Sequence, residues 1–203
     1  ARYDLAQVAT TAEGTGSDWT LSGAKSVALG APQADLLVVS ARVSGDQASE
    51  HGISLFVVDA KADGVSIRDY GTVDGYSAGE ITLDEAPATL LGGEGKAYPA
   101  IEKAVARGIL ALCAECLGAM EIAKDQTIEY MHTRKQFGVI IGKFQALQHR
   151  MADVLIEIEQ MRSAIVNAAG HLQEARDKRE WHVSAAKNLA GRAGRQVAEE
   201  AIQ

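Results

Sequence analysis

Hydrophobic and polar positions follow one rhythm over residues 1–93 and another over residues 94–203. In the first stretch, six short segments carry alternation or β-branched runs: residues 7–13, 19–29, 36–43, 53–60, 65–70 and 79–86. Turn-forming stretches such as "GTGSD", "SGDQASEHG" and "VDGYSAG" separate them. No helical period intervenes. The pattern predicts an antiparallel β barrel or sandwich, not a doubly wound sheet.

From about residue 97 the apolar positions step by three and four. Tyr98, Ile101, Val105, Ile109, Leu112, Cys116, Met120, Ala123, Thr127 and Tyr130 predict one long helix. Pro99 suits its first turn, and Gly138 is placed to end it in a left-handed C′ position. A stricter heptad seam follows: Phe144, Leu147, Met151, Val154, Ile158, Met161 and Ile165. A third helix starts near Lys178, with His182, Ala186, Leu189, Ala193 and Val197 as its stripe. Such seams pack as an up-down bundle. The fold class expected is therefore α+β and multidomain, with a middle β domain at 1–93 and an incomplete α-helical bundle domain at 94–203. Helices this long, about 45 Å for thirty residues, carry more apolar stripe than a small barrel covers. The remainder is expected to meet further chain or another subunit. The chain starts without Met and stops at Gln203 inside a helical pattern, which reads as a piece of a longer protein.

Composition narrows the classes. The chain is 47% hydrophobic and 23% charged, with net charge −7. That balance gives no reason to expect nucleic-acid binding, and no apolar run is long enough for a membrane span. The acidity lies in residues 1–93, where thirteen Asp and Glu oppose five Lys and Arg, and solvated turns account for it. Cys113 and Cys116 have C-x-x-C spacing but fall within "LALCAECLGAM", a helix interior with no second ligand pair. They read as small packing residues rather than a redox or zinc motif, and the expected location is cytoplasmic.

The link between the first two helices carries unusual chemistry. In "HTRKQFGVIIGKFQALQHRMADV", Arg134 alone is explained by the negative end of a helix dipole, and Phe137 alone by plugging a turn. Together with Phe-Gln, Gln-His and Met-Ala-Asp in this order, however, the stretch resembles the acyl-CoA dehydrogenase family. "ARGILALCAECLGAM" and "ARYDLAQVATTAEGTGSDWTLSGAKS" extend that resemblance over essentially the whole chain.

The resemblance implies an FAD-dependent enzyme that oxidises an acyl-CoA thioester to the trans-2-enoyl form and passes electrons to an electron-transferring flavoprotein or similar acceptor. It implies a homodimer or homotetramer, with a heteromer as an open alternative. It also implies that Arg134 meets the FAD pyrophosphate of the neighbouring subunit, since a guanidinium fork matches phosphate oxygens. Gln136 and Phe137 would line the same cofactor. Gln145, one turn into the next helix, and Gln203 would contact it too, and Arg107 would stand near the acyl-CoA entrance. The family's catalytic glutamate has two known places. One lies beyond Gln203; the other corresponds to Ala106 and Gly108, which cannot act as bases. No residue here is assigned as catalytic and none as a metal ligand, and the segment alone is expected to be inactive. Val27 and Leu29 stand where the family often has Trp and Thr or Ser beside the flavin ring. Two alternatives therefore stay open: a non-catalytic partner subunit of a heteromeric dehydrogenase, and a helical assembly module with no cofactor.

Overall fold

A computed structural model describes residues 4–203. The chain divides into two compact units, Ala1–Glu102 and Lys103–Gln203.

The first unit is a barrel-like sheet of six strands: β1 (Thr11–Thr15), β2 (Asp18–Leu29), β3 (Leu36–Arg42), β4 (Ile53–Asp59), β5 (Val65–Gly71) and β6 (Ser77–Leu91). The order is β2-β1-β3-β4-β6-β5, and a further β2–β6 ladder closes the ring. All pairings are antiparallel except β1–β3, a parallel contact at Thr11 and Arg42. Closure removes most of the exposed edge that an open sheet would present.

Inward-facing Leu21, Phe56, Val58, Ile81 and Leu83 fill the barrel, and the Trp19 and Phe56 rings meet at 5.3 Å. Arg42 is buried, yet its guanidinium donates to six backbone carbonyls: Ala6, Val8, Ser44, Gln47, Ser49 and His51. Those bonds repay the desolvation of the charge and nail down the loop between β3 and β4.

The second unit is built from long helices. They are α1 (Tyr98–Thr133), whose first turn belongs to the first unit, α2 (Gln145–His171) and α3 (Arg176–Ile202). On α2 the expected seam is buried at Met151, Val154, Ile158 and Met161 and runs on to Ala168, while Phe144 at its head is exposed. On α1 the buried face is rotated in part from the expected stripe. Met120 is buried as expected and Ile109, Cys116 and Ala123 pack against the core, but Ala106, Cys113 and Met131 also point inward while Val105, Leu112 and Tyr130 are exposed. The small residues face the core because α3 approaches closely. Cys116 Sγ lies 3.8 Å from the Ala190 carbonyl oxygen, and a Cβ on Gly194 would stand 2.8 Å from that sulfur. On α3 the same shift replaces His182 and Leu189 with Val183 and Ala190 as the buried positions. Both cysteines are free, and burial pushes the Cys113 thiol upward, as expected of a packing residue. Among the described residues, no helix is long and apolar enough to cross a membrane, and no cluster of His, Cys, Asp or Glu could hold a metal.

Candidate functional site

The link between α1 and α2 is itself folded. α1 ends at Thr133, and the chain forms a two-stranded hairpin, β7 (Lys135–Gln136) and β8 (Val139–Ile140), then a 3-10 turn at Ile141–Lys143. Gln136 pairs with Val139, so the loop is two residues long. Both loop residues have positive φ, Phe137 at 54° and Gly138 at 80°, as a type I′ turn requires. Gly138 is therefore left-handed, but as the second turn residue of a hairpin and not as the C′ residue of α1. Glycine takes that conformation freely; an aromatic residue at the first position is strained by about 1–2 kcal/mol.

Phe137 remains 91% exposed at the tip, its ring edge-on to that of Phe144 with centroids 6.3 Å apart. Strain and exposure combined in one aromatic residue mark a position selected for contact with something else.

Arg134 sits at the base of this hairpin with its backbone pinned on both sides. Its N–H donates to the Tyr130 carbonyl at 2.9 Å, and its own carbonyl accepts from Ile141 N–H at 2.9 Å. The side chain is exposed, and no carboxylate of the described residues pairs with it. Gln136 is also exposed.

Gln145 is the first residue of α2, not one turn inside it. The N-cap of α2, Phe144, makes no side-chain capping bond, and the first turn holds no acidic residue, so the positive end of the helix is open to an anion. Gln203 follows the end of α3, and Arg150 Nη2 donates to its Oε1 at 2.8 Å, while Arg150 Nε also binds Glu200. Arg150, Glu200 and Gln203 border a cleft of about 240 Å³, lined also by Tyr130, Met131 and Leu147.

The structure thus brings Arg134, Gln136, Phe137 and Gln145 to one end of the helical unit and ties Gln203 to the start of α2. Arg107 does not join them. It is exposed on α1, roughly 40 Å along the axis from Arg134 at 1.5 Å per residue. Ala106 is buried and Gly108 exposed, so neither offers a base, and Glu115 points outward.

In the barrel, Val27 and Leu29 are 58% and 72% exposed. Leu29 pairs regularly with Ala78, and Val27 just before it lies on a β-bulge of β2, where the register with β6 slips between Lys25 and Ala28 and Val27 takes φ 54°. A β-branched residue there is strained. The Glu80 carboxylate holds the bulge by accepting from Tyr70 OH at 2.9 Å and Val27 N–H at 3.3 Å. The bonds from Tyr70, Ser26 and Val27, largest first, keep this carboxyl below its ordinary value.

Sequence reading missed the hairpin, the bulge and the Arg150 clamp. Only the hairpin left a readable signal: a lone x-Gly pair between "RKQ" and "VII".

Residues 1–86 match the family described as Acyl-CoA dehydrogenase, middle domain, and residues 97–203 match Acyl-CoA dehydrogenase, C-terminal domain. A 3-(aryl)acrylate reductase of Clostridium sporogenes is 30% identical over all of this chain and 55% of its own length. A caffeyl-CoA reductase–Etf complex subunit of Acetobacterium woodii is 29% identical over the same shares. A solved glutaryl-coenzyme A dehydrogenase in complex with glutaryl-CoA superposes at TM-score 0.87 with 29% identity, over 98% of this chain and 52% of that one. The chain spans about half the length of the curated relatives it matches.

Proposed function

The chain belongs to the acyl-CoA dehydrogenase family, and from that premise we propose that it is part of an FAD-dependent oxidoreductase acting between the α and β carbons of an acyl-CoA thioester. The observation that carries this reading is the α1–α2 hairpin. It combines an unpaired guanidinium on a pinned backbone, an exposed strained aromatic and an open helix N-terminus. Such a set fits a dinucleotide pyrophosphate, with Arg134 donating to phosphate oxygens and Phe137 covering an apolar part of the cofactor. Gln136, Gln145 and Gln203 add hydrogen-bonding groups, and Arg107, far along α1, serves an acyl-CoA phosphate rather than the flavin.

FAD, when bound, supplies the two-electron chemistry, and the protein supplies position and electrostatics. Arg134 offers a positive charge that needs no movement, because its backbone is fixed at both ends. The proton at the α carbon needs a carboxylate whose pKa is raised by burial. Ala106 and Gly108 provide none, so the base is assigned to chain outside this segment. The assignment of 1–93 to a middle β domain and 94–203 to a C-terminal helical domain belongs to the same reading. An electron-transferring flavoprotein as redox partner is supported by the relative whose name includes an Etf complex; homo-oligomeric assembly and a cytoplasmic location go with it.

Purified full-length protein should carry stoichiometric FAD and interconvert an acyl-CoA with its 2-enoyl form in the presence of a redox dye. Full-length protein that binds no FAD would contradict this function.

A second reading, a subunit that completes another subunit's flavin site without catalysing, is favoured by Val27 and Leu29. Val27 sits on an exposed, strained bulge with Leu29 exposed just beyond it, and neither side chain carries a hydroxyl that can donate. Full-length protein that binds FAD but turns over only with a second subunit would select it.

A further inference from the structure

Among the described residues, the barrel wall has a gap in its hydrogen bonding, a seam between β2 and β3. β1 pairs with β2 only as far as Ser22, and it meets β3 only at Arg42. The second half of β2, Gly23–Leu29, therefore pairs with β6 alone, and β3 pairs along its length with β4 alone. Between these two stretches lies a cleft of about 310 Å³. Ala31, Leu37, Val39 and Ile81 form its apolar floor, with Leu29 and Val38 exposed at its rim.

Lys25 enters this cleft from the core-facing side, opposite Ile81 in the β2–β6 ladder. Among the described residues it is the only ionisable side chain lining the cleft, and its Nζ donates to Ser40 Oγ at 3.3 Å. No carboxylate of the described residues pairs with it, so burial acts unopposed and brings its pKa down to about 8.

We propose that Lys25 is an acyl-acceptor site: its amine takes an aliphatic acyl group from an acyl thioester docked in this seam. The neutral amine attacks the thioester carbonyl carbon, and a C–N bond forms. The C–S bond then breaks with its electron pair on sulfur. The nitrogen's surplus proton passes through solvent to the departing thiolate, leaving an amide and a free thiol. The Ser40 hydroxyl, already beside the nitrogen, donates to the carbonyl oxygen as negative charge develops there. The apolar walls accept the aliphatic chain. The amide product is uncharged, so the modification removes the one ion the seam must otherwise keep partly dehydrated. None of this requires flavin.

The test uses full-length protein and butyryl-CoA, with no electron acceptor added, and peptide mass spectrometry to compare Lys25 with the exposed Lys61. At about pH 7.5, roughly a quarter of an amine titrating near 8 is neutral, against roughly one in a thousand at the ordinary lysine value. Lower basicity takes back about tenfold, by the Brønsted relation known for thiolates. Lys25 should therefore be butyrylated about tenfold or more faster than Lys61, with a rate that levels off above about pH 8. Ser40→Ala should slow Lys25 and leave Lys61 unchanged. Lys25→Arg should abolish the modified peptide while flavin content stays as in the wild type, which separates this site from the flavin reading. Butyrylation of Lys25 no faster than of Lys61, or a Lys25 rate indifferent to Ser40→Ala, would overturn the proposal.

Discussion

Phe137 is held at φ 54° and left in solvent. Replacing it by glycine relieves backbone strain worth about 1–2 kcal/mol, offset in part by the greater freedom of glycine in the unfolded chain. Phe137→Gly should therefore leave the denaturant midpoint unchanged or slightly raised, while FAD affinity falls with the lost ring. A loss of stability would show that the ring packs for folding instead.

Lys25 yields a pH prediction of definite sign. Its folded pKa of about 8 lies below the ordinary 10.5. Below pH 8 both folded and unfolded states hold the proton, and the cost of burying it is fully present. As pH rises from 8 towards 10.5, the folded amine loses its proton first and the native state gains. Unfolding midpoints of the wild type and Lys25→Met should thus converge above pH 8, with Lys25→Met the more stable below it. Residue types were legible from sequence at these positions: Arg134 and Phe137 stood out by their order in a motif. The backbone state of Phe137 and Val27 was not, because left-handed φ in a phenylalanine or a valine is imposed by the surrounding strands and not by the side chain.

Helices and strands were legible where period was strong. The α2 seam from Met151 to Met161 is the buried face that the heptad pattern indicates. On α1, hydropathy favoured Val105 and Leu112, yet Ala106 and Cys113 are buried. Close approach selects small residues, and a hydropathy stripe does not register size. Gly194 tests that account. Gly→Ala in a helix interior usually stabilises by about 1 kcal/mol, but here the new methyl would sit 2.8 Å from Cys116 Sγ. Gly194→Ala should lower the midpoint, and Cys116→Ala added to it should restore stability beyond the sum of the single effects. Additivity would mean that α1 and α3 are not in tight contact at this point. The hairpin at Lys135–Ile140 escaped sequence reading because Phe-Gly lacks the Asn or Asp that usually announces a type I′ turn.

At the scale of the whole chain, a β unit followed by a helical unit was legible from the change of period alone. The barrel's closure through β2–β6 was not, because long-range pairing leaves no local trace. The family match accounts for both units, and the chain spans about half of its curated relatives. The proposed function requires the α1–α2 hairpin to grip the phosphates of a dinucleotide through Arg134. Titrating flavin-free full-length protein with FAD, wild type against Arg134→Ala, tests it most directly. Charge-assisted bonds to phosphate contribute about 1.5–3 kcal/mol, so the dissociation constant should rise about tenfold to a hundredfold. Arg134→Lys should fall between the two, and the unfolding midpoint without FAD should not change. Equal FAD affinity in wild type and Arg134→Ala would contradict the account.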